Sequence, residues 1–404
     1  MRISKANRLS EVKEYYFSRK LKEIREMELQ GRNIINLGIG SPDLAPDKRI
    51  IDKLIEEGLK KENHAYQPYS GVPELRDAFS GFYKKYFHVN LKGNEILPLM
   101  GSKEGIMHIS MAFLNAGDAV LVPNPGYPTY SAVSNLLGAK VITYDLLEDN
   151  NWYPDFEEIE KYDLSQVKIM WVNYPNMPTG TKATKELFQK LVDFGLKHHI
   201  LIVNDNPYSF ILNNEQLSIL EADHAKDIAL ELNSLSKSHN MAGWRIGMLA
   251  GSSDYINAVL QAKSNMDSGI FKPLQMAAVD ALSSDDSWYV SLNEIYDERR
   301  RVVFQMLDIL GFTYRTDQVG MFVWAKISEK YQSAEEFSDQ LLNSGGVFIT
   351  PGSIFGNNGS LYVRISLCAD IQVLRAARNI ISQFVEMTDP QNEDVMEAEI
   401  LSKM

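Results

Sequence analysis

The chain has 404 residues, 45% of them apolar and 23% charged, a balance ordinary for a soluble globular protein and large enough for two or three domains. Its formal net charge of −12 disfavours nucleic acid, which is bound through a basic face. No apolar run is long enough to span a bilayer. The single cysteine, Cys368, excludes an internal disulfide framework and, with no signal-peptide pattern ahead of it, fits the cytoplasm.

The N-terminus clusters Arg2, Lys5, Arg8, Lys13, Arg19, Lys20, Lys22 and Arg25, interleaved with Glu11, Glu14, Glu23 and Glu26. That mixture reads as a solvated helix face, docked against either the C-terminal part of the chain or a partner subunit. Strands are predicted over 119–123, 141–146, 168–173, 200–204, 228–232 and 245–250, with helices over 103–114, 130–137, 185–197 and 255–266 between them. Short apolar runs alternating with helical periodicity indicate an α/β domain with a mostly parallel sheet flanked by helices.

A long amphipathic helix follows over 288–310, and then strands over 320–326 and 362–367 with helices over 334–343 and 373–384. This texture indicates a smaller α+β domain. The expected division is a large domain over 47–288 and a small one built from 1–46 and 289–404. Cys368 ends a strand-like run and reads as an inert buried thiol. The polar, acidic residues from about Thr388 onward read as loosely ordered.

The most informative motif is Ser234-Leu235-Ser236-Lys237, set after a strand and followed by Arg245. A lysine whose amine is held unprotonated can form an imine with a carbonyl. Hydroxyls and a guanidinium beside it are what an anchored phosphate needs, so the set suggests pyridoxal 5'-phosphate. The competing reading is a solvated lysine, and other parts of the chain have to supply the same site.

Asp205 falls at the carboxyl end of a strand, where ligands of open α/β sheets bind. A carboxylate there can keep a pyridine nitrogen protonated, and Tyr208 could donate to a ring oxygen; an Asx turn before Pro207 competes. Gly101-Ser102-Lys103-Glu104-Gly105 opens a helix whose free amides suit phosphate, though Ser102 could simply be its N-cap. Tyr127 could stack on a flat ring or merely pack in a turn. Arg364 lies inside an apolar strand and needs a partner, either a substrate carboxylate or a structural ion pair.

Taken together these parts resemble the class I/II aminotransferases of the fold-type-I pyridoxal phosphate enzymes, over nearly the whole chain. The segments 35–43, 66–76, Pro178-Thr179-Gly180 and 237–247 carry the likeness, and 263–271 with the Gly101–Gly105 loop looks most like the branch holding LL-diaminopimelate aminotransferases. The resemblance implies Lys237 as Schiff-base lysine and proton shuttle. It puts Ser102, Lys103, Ser234, Ser236 and Arg245 on the phosphate, with Tyr66 reaching it from the other subunit of a homodimer. It also implies Tyr127 on the ring, Asp205 at its nitrogen, Tyr208 at its phenolic oxygen, and Arg364 with Gly40 at the substrate carboxylate. No metal is implied.

One position departs from the family. Met177 stands where an asparagine usually precedes Pro-Thr-Gly, and a thioether cannot donate a hydrogen bond. Either Asn176 takes over that role or Tyr208 acts alone. The implied activity is transfer of an amino group between an amino acid and a 2-oxo acid. A C–S β-lyase or decarboxylase of the same fold is the alternative. A transcription regulator with an aminotransferase-like domain is disfavoured by the acidic balance and by the short stretch before Ile35.

Overall fold

The computed structural model describes residues 3–10 and 16–388. Arg2, Glu11, Lys13 and Glu14 of the basic cluster, and the acidic tail after Thr388, lie outside the described residues. Helix α1 (Tyr16–Leu29) leads to a short strand β1 (Ile35–Asn36). The large sheet takes β2 (Ile96–Leu99), β3 (Ala119–Asn124), β4 (Lys140–Asp145), β5 (Val167–Val172), β6 (Leu201–Asp205), β7 (Ala229–Ser234) and β8 (Gly247–Gly251). Their spatial order is β2-β8-β7-β6-β5-β3-β4, parallel throughout except at β8, which runs antiparallel to β2 and β7. The architecture is α/β, with a large, mostly parallel, seven-stranded sheet flanked by helices.

Both faces of this sheet are covered. In β5, Ile169 and Trp171 enter one core while Met170 and Val172 enter the other, the alternation expected of a strand buried on both sides. The edge strand β4 instead leaves Lys140, Thr143 and Asp145 exposed. Sequence patterning missed β2 because Pro98 interrupts it; the strand lies at the sheet edge, where a proline is tolerated.

Two strand starts are corrected. Ile228 closes a short helix, Ala225–Ile228, and Arg245 is left-handed at φ 56°, so the strand begins only at Gly247. Both residues sit in apolar runs, which show where a strand is buried but not where its backbone turns extended.

Helix Asp286–Leu310, capped by Asp285 and stopped at Gly311 with φ 67°, separates this sheet from a second one. The remaining strands are β9 (Thr313–Tyr314), β10 (Phe322–Lys326), β11 (Val347–Phe348), β12 (Thr350–Pro351) and β13 (Tyr362–Ser366). Four of them form an antiparallel sheet in the order β12-β13-β10-β9, and β11 pairs in parallel with β1. Predicted helix 334–343 is α-helical only over Ala334–Gln340 and widens into a π turn over Leu341–Gly345.

The N-terminal helix docks on the C-terminal part of its own chain, settling one of the two options left open. Phe17 and Ile24 are buried, with Ile24 packed among Leu342 and Phe348. Lys20 pairs with Asp339 at 3.3 Å, and Arg32 donates to the carbonyls of Leu342 and Asn343. The family-like segment 35–43 is a strand only at its start. Arg299 clamps its far end, donating to both oxygens of Asp43 at 2.7 and 2.8 Å.

Candidate active site

The carboxyl ends of β3, β5, β6 and β7 open onto a cavity of about 670 Å³. Ser102, Lys103, Tyr127, Asp205, Tyr208, Ser234, Ser236, Lys237, Arg245, Arg364 and Gly40 all line it. Tyr66 does not: its side chain stands 89% exposed outside the cavity.

Lys237 reaches the cavity because β7 ends at Ser234, whose hydroxyl caps the short helix Leu235–Ser238 by accepting from Ser236 N at 3.1 Å. Its Nζ donates to the Gly40 carbonyl. Removal from water holds this amine below the ordinary lysine range, and the Arg364 and Arg245 guanidiniums push in the same direction. The approach requires a glycine at position 40, since a Cβ there would lie 2.1 Å from Cζ of Phe322.

Asp205 is the last residue of β6 and is buried. Burial pushes its carboxyl up to about 7, with the buried Glu231 adding to the rise and a hydrogen bond from Tyr130 opposing it. Tyr130 Oη donates to Oδ2 at 3.1 Å, whereas Oδ1 has no partner among the described residues. Asn173 Nδ2 donates to the Asp205 carbonyl and holds the strand end. Glu231, on the neighbouring strand, accepts from Tyr83 Oη, Ser218 Oγ and Asn204 Nδ2 at 2.9, 2.8 and 3.0 Å.

At the start of helix Ser102–Phe113 the N-cap is Gly101, with φ 83°, and Ser102 is the first helical residue. Ser102 therefore does not cap the helix, and its buried Oγ has no partner among the described residues. A Cβ at Gly101 would lie 2.3 Å from Nη2 of Arg245, so this glycine lets the guanidinium close over the helix start. Arg245 Nη1 donates to Ala242 O at 2.9 Å.

Tyr127 meets Tyr130 edge to face at 5.6 Å, and Tyr130 lies parallel on Trp171 at 5.1 Å. The Tyr208 hydroxyl is held above the ordinary tyrosine range by burial, with Arg364 pulling it back down. Arg364, buried on β13, donates through Nη2 to Gly38 O at 2.7 Å, while its Nη1 faces Met177 Sδ at 3.2 Å. Asn176, the residue before Met177, is buried and is not among the residues that line the cavity. Its Oδ1 accepts from Thr179 Oγ1 at 2.7 Å and its Nδ2 donates to Asn173 O at 3.1 Å, which fix the turn beneath Met177. Cys368 is half-buried beyond the end of β13, its thiol on Met321 Sδ at 3.4 Å, and burial raises it above the ordinary thiol range.

Sequence reasoning passed over Tyr130, Asn173, Glu231 and the α1 residues Phe17, Ser18 and Leu21. Asn173 had a signal, since it directly follows β5 at the ligand end of the sheet. Tyr130 had one too, lying a helical turn beyond Tyr127. Tyr130→Phe should keep the stack on Trp171 while removing the donor that favours the charged carboxylate, so Asp205 should protonate above about 7. An infrared titration of the carboxyl band in cofactor-free protein reads this, and an unchanged midpoint refutes it.

A family model for aminotransferase class I and II matches residues 32–380. The chain is 40% identical over 370 residues to LL-diaminopimelate aminotransferase of Dehalococcoides mccartyi, covering 91% of this chain and 95% of that protein. Its likeness to the enzyme of that name from Aquifex aeolicus is 38% over 380 residues, covering 93% and 98%. Among solved structures, BacF of Bacillus subtilis matches with a TM-score of 0.90 at 36% identity, over 94% of this chain and 98% of that one. A mutant aspartate aminotransferase from Thermus thermophilus matches in fold, with a TM-score of 0.88 at 24% identity, over 95% and 100%. The transaminase reading therefore holds over a same-fold lyase, a decarboxylase or a regulator. By these matches and by the fold that carries them, the chain belongs to the family of class I and II aminotransferases.

Proposed function

We propose that this transaminase is pyridoxal-phosphate-dependent and exchanges amino groups between amino acids and 2-oxo acids. The observation that carries the reading is the pairing, in one cavity, of a lysine amine with lowered proton affinity and a buried carboxylate with one open oxygen. The open Asp205 Oδ1 suits a protonated ring nitrogen. The open Ser102 Oγ, with the helix amides, Ser234, Ser236, Lys103 and Arg245, suits a phosphate.

Lys237 would hold the cofactor through Nζ, with Tyr127 against the ring and Tyr208 beside its phenolic oxygen. When bound, the cofactor supplies an electron sink for the pair left on the donor's α carbon. Arg364 orients the donor by its carboxylate. Lys237 Nζ takes the proton from the α carbon and returns it on the cofactor side, a task suited to an amine whose proton affinity is lowered by burial. Gly40 O accepts from that amine and sets its direction. LL-Diaminopimelate, named for the relatives, is the donor that likeness brings forward first.

Borohydride reduction of the protein loaded with pyridoxal 5'-phosphate should fix the cofactor mass on the peptide containing Lys237. Labelling at another lysine, or none, would count against the reading.

The N-terminal segment 1–46 and residues 289–404 form a small domain beside a large one over 47–288 in this reading, supported by the β1–β11 pairing. A homodimer in which Tyr66 reaches the neighbouring cavity is supported by its exposure together with Tyr69, Met100 and Phe271. A cytoplasmic location rests on the single cysteine. Among the described residues no helix is long and apolar enough to cross a membrane.

A further inference from the structure

Glu231, on β7, is fully buried, yet it does not line the cavity. Four donors meet it. Its Oε1 accepts from Tyr83 Oη at 2.9 Å and Ser218 Oγ at 2.8 Å, and its Oε2 from Asn204 Nδ2 at 3.0 Å and Ile219 N at 3.1 Å. Both hydroxyls already accept from another group, Tyr83 from Asn233 Nδ2 at 3.2 Å and Ser218 from Leu220 N at 3.1 Å. Their own protons are thus the ones directed at Glu231. The two amides are fixed as well, because Tyr174 N donates to Asn204 Oδ1 at 3.0 Å and Ser234 N to Asn233 Oδ1 at 2.7 Å. Two oxygens that only accept are those of an ionised carboxyl.

Burial raises this carboxyl above the ordinary range, and the bonds from Asn204, Ser218 and Tyr83 act against that rise. A buried ion costs free energy that a well-packed apolar side chain would not, and the arrangement around Glu231 keeps the charge. The same bonds lead to the site. Asn204 precedes Asp205, Asn233 precedes Ser234 and Tyr174 follows Asn173, so residues at the ends of β5, β6 and β7 meet around one carboxylate.

Glu231 stands on the other face of the sheet from Asp205. Its partners Tyr83 and Ile219 belong to one core, whereas Tyr130, which binds Asp205, belongs to the other. The strands pair Asn204 with Glu231 and Asp205 with Leu232, one step apart. Among the described residues, the titratable groups on which the Glu231 charge acts are Tyr83, from the helix Pro73–Phe87, and Asp205 across β6. Burial and that charge hold the Tyr83 hydroxyl well above the ordinary tyrosine range, so it stays a neutral donor. Asp205 is then the group whose charge state Glu231 can move. Both carboxyls are buried, so water screens little of the interaction.

We propose that Glu231 is an electrostatic positioning residue for the reaction: its charge, held behind the sheet, adds to that of Asp205 and strengthens the hold on a cationic ring nitrogen at Oδ1. The inference rests on the transaminase reading above and extends its machinery to a residue outside the cavity. A purely structural tie between the strands would need an acceptor but no charge.

Glu231→Gln removes the charge and keeps one accepting oxygen. In cofactor-free protein the infrared band of the Asp205 carboxyl, isolated by subtracting the spectrum of Asp205→Asn, should then titrate clearly below the wild-type value of about 7. In the loaded protein kcat should fall by roughly three- to tenfold, the scale of one remote charge at a protein's effective dielectric, while KM for the donor changes little. Adding Asn204→Asp to Glu231→Gln returns one carboxylate to the same network. It should bring the midpoint back to about 7 or above, where lost shape alone would leave it low. An unchanged midpoint in Glu231→Gln, or no recovery in the double variant, would overturn the inference. Wild type decides the matter if neither variant folds. With isotope-labelled glutamate, its infrared spectrum at the assay pH should hold no protonated-carboxyl band that moves on labelling; such a band marks a neutral Glu231 and overturns the inference. If the loaded protein transaminates no donor, the transaminase reading fails instead, and the titrations still decide whether Glu231 acts on Asp205.

Discussion

Lys237→Ala should lower transamination by roughly 10⁴-fold or more, since in the proposed mechanism one substitution removes both the group that would bond the cofactor and the base that would move the α-carbon proton. The fold should survive it. Among the described residues Lys237 contributes one side-chain hydrogen bond, to Gly40 O, and its half-buried side chain leaves little apolar volume to refill. Lys237→Arg separates charge from chemistry. Arginine restores the cation but stays protonated in proteins, so it can neither attack a carbonyl nor accept a proton. Both variants should therefore be inactive to a similar degree, as read by single-turnover absorbance with a good donor. Substantial activity in either would remove Lys237 from the mechanism.

Asp205→Asn carries the second large effect. In the proposed site this substitution removes the charge that would face the ring nitrogen, and it should lower kcat by about 10³-fold, as preorganised electrostatic groups do, with KM for the donor changing far less. The same substitution has a readout in cofactor-free protein. Asp205 titrates near 7 in the folded protein against a reference value of 3.8. The folded state thus keeps a proton through this window that the unfolded chain has already released. Stability consequently falls as pH rises from about 4 to about 7, and the deficit is complete above that.

Asparagine does not titrate, so Asp205→Asn should gain stability over wild type with rising pH, on the order of a few kcal/mol at pH 8. The gain should be clearly smaller at pH 5. Urea unfolding of both cofactor-free proteins at these two pH values measures it; a gain independent of pH would exclude Asp205 as the titrating group. A cationic ring nitrogen beside Oδ1 acts in the opposite sense. It should hold the carboxyl ionised and remove the deficit, so the loaded wild type should show a flatter dependence.

The aromatic support beneath Asp205 explains why this carboxylate is available at one oxygen only. Tyr130 binds the other oxygen and is itself locked on Trp171. Asn173 fixes the backbone below. The Met177 position is a further case of structure sharpening chemistry. Sequence showed that a donor was missing, but the thioether sits against Arg364, at the carboxylate end of the cavity. Its chief neighbour is therefore Arg364, the group proposed to hold the substrate carboxylate.

Much of the site was legible from sequence because its parts are local. Ser234, Ser236 and Lys237 share one strand-to-helix turn, Ser102 opens one helix, and Asp205 ends one apolar run, so residue type and spacing carry their meaning directly. The parallel sheet was legible for the same reason, through apolar runs alternating with helical periodicity. Where a local rule was broken the reading failed, at Pro98 within β2 and at Arg245, whose left-handed backbone interrupts an apolar run.

Tertiary structure alone decided the rest. The Tyr130–Asp205 hydrogen bond, the Glu231 network, the docking of α1 and the ring of Phe17, Phe322 and Phe355 around Arg364 join residues far apart in the chain. Proton affinity at Asp205 and Lys237 is likewise absent from residue identity, because it is set by exclusion of water and by charges on other elements. Sequence by itself indicated which groups this protein gathers around its cavity. Long-range packing determined how dry and how charged their surroundings are.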